Sequence, residues 1–434
     1  MNRELNNIFQ DFTKSTFSKA DKKYKSKRDS SFLEVGLERN SEFYMDSILV
    51  ENSQLLAINK YADDSFLEAT KEKFRKLVGK EGKYKEHETI GTHPDFLALE
   101  NTDKIENHYA VSMFVDIKNS TSIYLKTNDL IWTKVFKNTV LRIITIFMQV
   151  FDGHVHRLQG DAVFGYFVWK DKAEEDAVID SLNTASFLLY YIENALNIEL
   201  EKLGYEPLKI RIGIDFGDKD EVIWSEYGLS PATEVTTTSL HTDLAAKLQG
   251  KASGNTIMIG DNIKEILDLP PEFIGVKEYQ KNYEMKKDRY ILNKKEKTYK
   301  MWIFQHNNYL KYFPYLHSDN YRLVCYTDDI IYNPNIDGII KGTSLLFKLE
   351  HPLTTPYYNA KVNNLEFVWE KENRGEEAKM AEQEGKLPVV IKEFNKVSEG
   401  TAYKGHHVMR CTVKQNGRVH EKLEFGIFIK GIKE

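Results

Sequence analysis

The sequence is poor in cysteine, in long apolar runs and in surplus positive charge. Its two cysteines, Cys325 and Cys411, are too few for a disulfide framework or a zinc site made of thiolates. The most apolar helical stretch, Leu141–Phe151, has about half the length that a helix needs to span a bilayer. The net charge of −5 argues against a dedicated nucleic-acid-binding protein, and the polar, charged stretch Met1–Arg28 does not resemble a signal peptide. We expect a cytoplasmic protein without a membrane segment or a stable nucleic-acid partner.

A chain of 434 residues is long for one domain, and 41% hydrophobic and 12% aromatic residues can build more than one core. Hydrophobic and charge patterns divide it into a helical N-terminal region at 1–107, a mixed segment at 108–270, a charged linker or solvated helix at 271–300, and a β-rich region at 301–434. Residues 1–28 predict an amphipathic helix followed by a basic patch. A membrane or nucleic-acid surface fits that patch, but a solvated helix face explains it more simply.

One carboxylate stands out in the mixed segment. Val111–Ile117 is apolar and β-branched, which predicts a buried strand, and Asp116 interrupts it near its end. The cluster Asn119–Ser122 that follows is typical of a helix start. A carboxylate beside a helix N-terminus suits a metal-bound polyphosphate. A structural aspartate at a strand–turn–helix corner is the alternative.

A second carboxylate follows at a predicted hairpin. Val155–Phe167 contains two short apolar runs that meet at Gly160 and Asp161, which places the Asp161 carboxylate at the hairpin tip. If this hairpin lies beside the strand of Asp116, the two carboxylates can share divalent cations. Two metals about 4 Å apart stabilise the attacking and leaving oxygens of phosphoryl transfer. Hard oxygen ligands favour Mg²⁺ or Mn²⁺.

The order of predicted elements indicates the fold. Apolar residues recur along 172–203 at spacings of three and four, as expected for a helix that lies on a sheet. Glu234–Gln249 predicts a capped helix, and 255–267 a strand and a short helix. The order β-α-β-β-α-β is typical of a ferredoxin-like α+β sheet, and its elements are a strand at 111–117, helices at 120–150, a hairpin at 154–169, a helix at 172–203 and a strand at 208–216.

Three motifs in order resemble the catalytic core of class III nucleotidyl cyclases. They are Phe114–Ile117 with the Ser/Thr-rich turn after it, Arg157–Asp161, and Arg211–Ile214. The resemblance covers 108–270 and implies a class III cyclase core there. The hydrophobic patterns add a helical extension before it and a β-rich domain after it.

The same resemblance implies roles for particular residues. Asp116 and Asp161 would ligate two Mn²⁺ or Mg²⁺ ions per active site, the backbone carbonyl of Ile117 would assist, and Phe114 would lie near the nucleotide. It also implies a head-to-tail homodimer whose active sites lie at the interface and are completed by the partner subunit.

One helix departs from the family pattern. Class III cyclases carry an Asn and, four residues later, an Arg that act in the transition state, and the matching positions here are Asp243 and Lys247. The spacing puts both on one helix face, where Lys247 is able to neutralise phosphate charge, although without the fork of an Arg. An ordinary surface ion pair is the alternative.

Two further positions concern which nucleotide base is bound. The resemblance implies that Arg157 and Thr236 of the partner subunit contact this base. Arg157 is a donor only, which suits the O2 and N3 acceptors of cytosine or the O2 and O4 acceptors of uracil, and suits guanine poorly. A strand arginine that merely pairs with a neighbour is the competing interpretation.

The C-terminal region resembles a sensor-like (AGS-C-type) domain of bacterial nucleotidyl cyclases and oligonucleotide-synthesising defence enzymes, through Trp369–Ala378 and Thr401–His407. Its His406–His407 pair lacks further metal ligands at suitable spacing, so we expect both at a strand entry. Cyclase core plus sensor resembles the pyrimidine cyclases of the Pycsar anti-phage system. This implies CTP, by preference over UTP, as substrate and a phage-derived activator. A purine cyclase and a non-catalytic nucleotide-binding module stay open.

Overall fold

The computed structural model describes residues 3–18, 66–81, 90–127, 129–318, 320–350, 365–392 and 395–431. No helix in these ranges is both long and apolar enough to cross a membrane. The helices are α1 Arg3–Thr13, α2 66–78, α3 Ser120–Thr127, α4 Leu130–Val150, α5 Glu174–Tyr191, α6 Asn197–Lys202, α7 Leu240–Lys251, α8 Asp261–Ile266, α9 His306–Tyr309 and α10 Glu376–Met380.

The strands form a central mixed sheet, small hairpin sheets and two C-terminal sheets. They are β1 Ile105–Asn107, β2 Ala110–Ile117, β3 His154–Gln159, β4 Ala162–Phe167, β5 Ile210–Gly217, β6 Ile223–Leu229, β7 Ala232–Thr238, β8 Thr256–Gly260, β9 Ile274–Gly275, β10 Lys277–Lys281, β11 Glu284–Asp288, β12 Tyr290–Asn293, β13 Thr298–Phe304, β14 Arg322–Thr327, β15 Ile330–Tyr332, β16 Ile339–Ile340, β17 Ser344–Glu350, β18 Leu365–Asn373, β19 Gly385–Lys392, β20 Lys396–Gly400, β21 Gly405–Gln415 and β22 Arg418–Lys430.

The central sheet has the order β12-β13-β8-β5-β2-β4-β3, in which β2 lies between β5 and β4. Strand β2 is antiparallel to both β4 and β5, and β5 is parallel to β8. Chain order through β2, α4, β3, β4, α5 and β5 is the β-α-β-β-α-β arrangement, so the predicted ferredoxin-like α+β fold is confirmed.

The two faces of β2 have different chemistry because side chains alternate along a strand. Val111, Met113 and Val115 are buried and belong to the main core, which also contains the apolar residues of α4 and α5. The predicted stripe on the long helix is confirmed, since all of its members are buried: Val178, Leu182, Ala185, Leu189, Ile192 and Leu196. The opposite face of β2 presents Phe114 and Asp116, which are only partly buried.

The first helix is part of this core. Leu5, Ile8, Phe9 and Phe12 of α1 are buried, and Phe9 packs edge-on against Phe74 of α2. Burying a phenylalanine contributes roughly 1.5–3 kcal/mol, so the predicted amphipathic helix gives its apolar face to the core. The basic patch that follows it lies outside the described residues.

The segment 271–300 is not a linker or a helix, so that prediction is wrong. It contains β9 to β12, and its last residues begin β13, which pairs with β8 in the central sheet. Strands β10 and β11 form a hairpin around Asn282 and Tyr283, both with positive φ. Because this hairpin is exposed on both faces, its strands carry charge without the apolar alternation that marks a half-buried strand.

The predicted helix at Glu234–Gln249 begins later than expected. Ala232–Thr238 is strand β7, paired with β6, and α7 begins at Leu240 after Ser239, whose hydroxyl accepts from the backbone N–H of His241 at 3.1 Å. The β-branched run from Val235 to Thr238 prefers a strand, so the helix cap is Ser239, the residue after this run.

The C-terminal region has two sheets, β15-β14-β17-β20 and β16-β22-β21-β18-β19. The predicted β-rich character is confirmed, and both cysteines are buried in a second core between these sheets. His406 and His407 lie at the start of β21, as expected. Nε2 of His407 lies 2.9 Å from the carbonyl of Tyr403, and burial lowers the pKa of His407 to about 4.

The main core continues into the C-terminal region. Ile336, Val408 and Phe428 belong to the same buried cluster as the residues of the central sheet. Phe428 packs on Tyr309 with ring centroids 6.3 Å apart, and Tyr309 donates to Asn183 of α5 at 2.7 Å. The two regions therefore share one hydrophobic core in the part of the chain that the structure describes.

The end of α2 places a lysine in this shared interior. The N–H of Lys80 donates to the carbonyl of Arg75 at 2.8 Å, and Gly79 to Lys76 at 3.2 Å, which is a Schellman motif. Gly79 has φ +84°, and a Cβ there would meet Asn333 at 2.1 Å. Glycine is required by both the conformation and the space, and the motif turns Lys80 inward.

Lys80 joins a buried cluster of charges. Its Nζ lies 2.7 Å from Asp180 and 2.9 Å from Asp337. Asp152 is held by Arg75 at 2.9 Å and by Lys172 at 3.2 Å. Burial alone would raise the pKa of Asp152, but these cations and Lys80 hold it below its usual value, whereas burial raises the pKa of Asp180 to about 6.

Candidate functional site

The structure brings Asp116 and Asp161 together at one end of the central sheet. Asp116 is opposite Ala162 in the β2–β4 register, and Gly160 and Asp161 form the two-residue turn between Gln159 and Ala162. Gly160 has φ +64°, which that tight turn requires. The carboxylate of Asp161 therefore lies beside that of Asp116, as the sequence predicted.

The electrostatics at this point fit a cation. The side chains of Asp116 and Asp161 are 15% and 22% exposed, so both are partly shielded but open to solvent. Burial raises the pKa of Asp116, and the charge of Asp161 raises it further, against the opposing effect of Arg211. Converging carboxylates repel one another, and a divalent ion between them removes that repulsion.

The two aspartates are few for a complete metal site. No group of three or more His, Cys, Asp or Glu side chains suited to a metal occurs in the described part of the chain. Mg²⁺ usually takes one or two carboxylates and completes its shell with waters and substrate phosphates. The residues present therefore fit an ion that is shared with a phosphate ligand.

Asp116 has two partners that the sequence prediction missed. Nε of Arg211 on β5 lies 3.1 Å away and its Nη2 also contacts the carboxylate, and Nε2 of Gln249 on α7 donates to it at 3.0 Å. Gly213 explains how α7 comes so close, because a Cβ there would meet the backbone nitrogen of Gln249 at 2.2 Å. A glycine inside a strand often marks the close approach of another backbone segment, so Gly213 was the one feature of the sequence that could have indicated the contact with Gln249.

Aromatic side chains cover the same face of the sheet. Phe114 of β2 stacks on Phe164 of β4, with ring centroids 4.2 Å apart and an interplanar angle of 5°. Both are partly buried. Lys137 of α4 lies 3.9 Å from the Asp161 carboxylate. The face therefore combines an apolar platform with charge of both signs, as a nucleotide site needs.

The predicted base-contact residues lie on neighbouring strands. Arg157 of β3 forms an ion pair with Glu234 of β7, and Thr236 is two residues further along β7, on the same face as Glu234. The hydroxyl of Thr236 lies 3.0 Å from that of Tyr166. In this structure, Arg157 is therefore a strand arginine that pairs with a neighbour, as the competing interpretation stated. Contact between Arg157 and a nucleotide base stays a prediction.

Asp243 and Lys247 are both exposed on α7. No ion pair joins them within this described helix, so the surface-pair alternative is not what the structure contains. Neither forms a hydrogen bond or ion pair with Asp116 or Asp161 of its own chain in the described residues. A role toward substrate therefore requires that they face another subunit, which stays a prediction.

Comparison with known proteins gives consistent findings. Residues 320–430 match the family model of the adenylyl/guanylyl and SMODS C-terminal sensor domain. The chain is 37% identical over 390 residues to a cytidylate cyclase of Staphylococcus aureus, covering 86% of this chain and 90% of that protein. A cytidylate cyclase of Escherichia coli is 29% identical over 462 residues, covering 99% and 96%.

Among solved structures, the adenylyl cyclase CyaB from P. aeruginosa is 15% identical with a TM-score of 0.37, covering 46% of this chain and 95% of that one.

Proposed function

This chain belongs to the cytidylate cyclase family, and from that premise we propose that it converts CTP into 3′,5′-cyclic CMP and pyrophosphate. The observation that carries the proposal is the pair of converging carboxylates, Asp116 and Asp161, beside an aromatic face and a basic side chain. The resemblance to anti-phage cyclases supports cyclic CMP as a second messenger of bacterial antiviral defence, made in the cytoplasm after a phage-derived activator acts through 301–434.

We propose a pair of Mn²⁺ or Mg²⁺ ions, which Asp116, Asp161 and the backbone carbonyl of Ile117 would hold together with the phosphates of the substrate. When bound, such ions lower the pKa of the ribose 3′-hydroxyl and neutralise phosphate charge.

The side chains of the protein position the substrate. Phe114 lies against the nucleotide, Arg157 and Thr236 of the partner subunit contact the base, and Lys247 contacts the phosphates, with Asp243 beside it. In the reaction the 3′-oxygen bonds to the α-phosphorus, the bond from that phosphorus to pyrophosphate breaks, and the hydroxyl proton goes to solvent. Arg211 pairs with Asp116 in this structure; if that carboxylate held a cation, the guanidinium would be free to donate to a phosphate.

The test is turnover of the purified full chain with Mn²⁺ and each of the four ribonucleoside triphosphates separately. We expect cyclic CMP from CTP, identified by mass, with pyrophosphate released in equal amount. If cyclic UMP were the main product, the proposed cyclase reaction would stand and the substrate would be UTP. Formation of cyclic AMP or cyclic GMP would overturn our interpretation of Arg157. Absence of product with and without phage lysate would favour a binding module.

A second prediction concerns the dimer. We expect that a purified heterodimer of one Asp116→Asn and one Lys247→Ala protomer has about half the wild-type activity, because one of its two shared sites holds both intact residues. Each variant homodimer should be nearly inactive. The measurement is turnover after tandem-affinity purification with a different tag on each protomer.

The reciprocal heterodimer is the control. It pairs a wild-type protomer with one that carries both substitutions, so that every shared site has one lesion and no activity is expected. If this second heterodimer is the active one and the first is inactive, the site lies within a single chain.

A further inference from the structure

The ion pair between Arg157 and Glu234 contributes little to the fold. Their side chains are 46% and 38% exposed, and exposed pairs of this kind are worth at most about 1 kcal/mol. They link β3, at the edge of the central sheet, to β7 of a separate sheet. Glu234 of this pair lies two residues from Thr236. Binding of a ligand therefore explains the pair better than a contribution to stability does.

Part of each side chain is available. The contacts of Glu234 in the described residues, with Arg157 and with His156 at 3.8 Å, both use Oε2. A carboxylate has two acceptor oxygens and a guanidinium has five N–H donors, so one such contact does not use the full hydrogen-bonding capacity of either group. Both side chains are also partly exposed. The pair can therefore offer an acceptor and donors side by side to a ligand.

His156 lies beside this carboxylate without bonding to it. Its ring is buried, and its Nδ1 lies 2.9 Å from the carbonyl of Gly91. Burial lowers the pKa of His156, so it is neutral near pH 7 and does not compete with Arg157 for Glu234. The carboxylate is thus held by Arg157 and not by His156, and the 38% exposure of the Glu234 side chain leaves it accessible to a ligand.

This pattern matches one pyrimidine and mismatches the other. Cytosine presents a 4-amino donor next to the N3 and O2 acceptors. Uracil presents an O4 acceptor next to an N3–H donor, so at the same place its O4 would meet a carboxylate and its N3–H would meet a guanidinium. A site with fixed polar groups rejects an analogue that leaves them unpaired. Adenine offers a similar amino and ring-nitrogen pair, so the pattern separates the two pyrimidines from each other.

We propose that Glu234 is the residue that distinguishes CTP from UTP, with Oε1 accepting from the 4-amino group while Arg157 donates to N3 and O2. The proposal rests on the proposed function, because it assigns a role within the same nucleotide site. It adds a residue that the sequence motifs do not include.

The test is Glu234→Gln in the full chain, which keeps the size of the side chain and lets its amide turn an N–H toward O4 of uracil. We expect the ratio of kcat/KM for CTP to that for UTP to fall about 10- to 100-fold. The matched control is Glu226→Gln, the same change on β6 opposite Val235, which should leave the ratio unchanged. A purely structural defect would lower kcat/KM equally for CTP and UTP, and the ratio of the two values would not change.

The outcomes separate the two proposals. If the wild-type protein makes no cyclic CMP, the proposed function fails. If it makes cyclic CMP and Glu234→Gln keeps the wild-type ratio, Glu234 is not the discriminating residue. If the variant turns over neither substrate, calorimetry measures the ratio of the affinities for CTP and UTP in the wild type and in the variant. An affinity ratio that does not differ between the two proteins again overturns the proposal.

Discussion

Replacing Asp116 or Asp161 by asparagine is expected to lower the rate of cyclic CMP formation by about 1,000-fold or more, because each change removes a carboxylate from a site that needs both. The same changes should not lower the melting temperature. Burial and the charge of Asp161 both raise the pKa of Asp116, so an amide in place of either carboxylate relieves repulsion within the folded state. Loss of turnover without loss of stability separates chemistry from folding.

The measurements are initial rates with CTP and Mn²⁺, Mn²⁺ binding by calorimetry, and thermal unfolding. Asp328→Asn makes the same chemical change at an exposed turn between β14 and β15, where the backbone has φ +47°, and asparagine tolerates that conformation. This control should match the wild type in all three. Wild-type turnover in Asp116→Asn or Asp161→Asn would remove the basis of the two-metal proposal.

Replacing Lys80 by methionine is expected to lower the free energy of unfolding by about 3–5 kcal/mol, the usual effect of removing one partner of a buried ion pair. Its Nζ is fully buried, and lies within 3 Å of both Asp180 and Asp337. Without it, Asp180 keeps Lys172 as its cation and Asp337 loses a buried partner. Methionine fills the space but cannot offset either charge.

Chemical denaturation at pH 7.5 measures the effect, and Lys76→Met is its control. Lys76 lies in the last turn of α2, four residues before Lys80, but its side chain is 73% exposed and its contact with Glu81 is 3.9 Å. An exposed pair of this kind is worth at most about 1 kcal/mol. Equal losses in the two variants would mean that the buried cluster does not stabilise the folded state.

Local patterns were enough to predict the central features. The apolar run that ends in Asp116, the Gly160–Asp161 turn and the stripe along α5 each depend on residues near one another in sequence. Strand pairing then brought the two carboxylates together, because the hairpin β3–β4 places its tip beside the end of β2. The α+β class followed from the order of these elements.

Contacts between distant segments could not be predicted in the same way. Lys80 and Asp337 are 257 residues apart, and Gln249 reaches Asp116 across 133 residues. Nothing near Glu234 in sequence indicates that it meets Arg157. The charged strands β10 and β11 were missed for another reason, since an exposed hairpin has no buried face to impose a pattern.

The shared core has a consequence for chimaeric proteins. Phe428, Val408 and Ile336 pack into the same interior as the central sheet, so a fragment that stops before β14 would expose an apolar surface and leave Lys80 without Asp337. A protein that contains the cyclase segment alone, or that segment joined to the sensor of a relative, would fold only if the exposed apolar surface were covered by a matching one. Its regulation could be measured only after that condition is met. Grafts between relatives should therefore transfer both sides of this shared core.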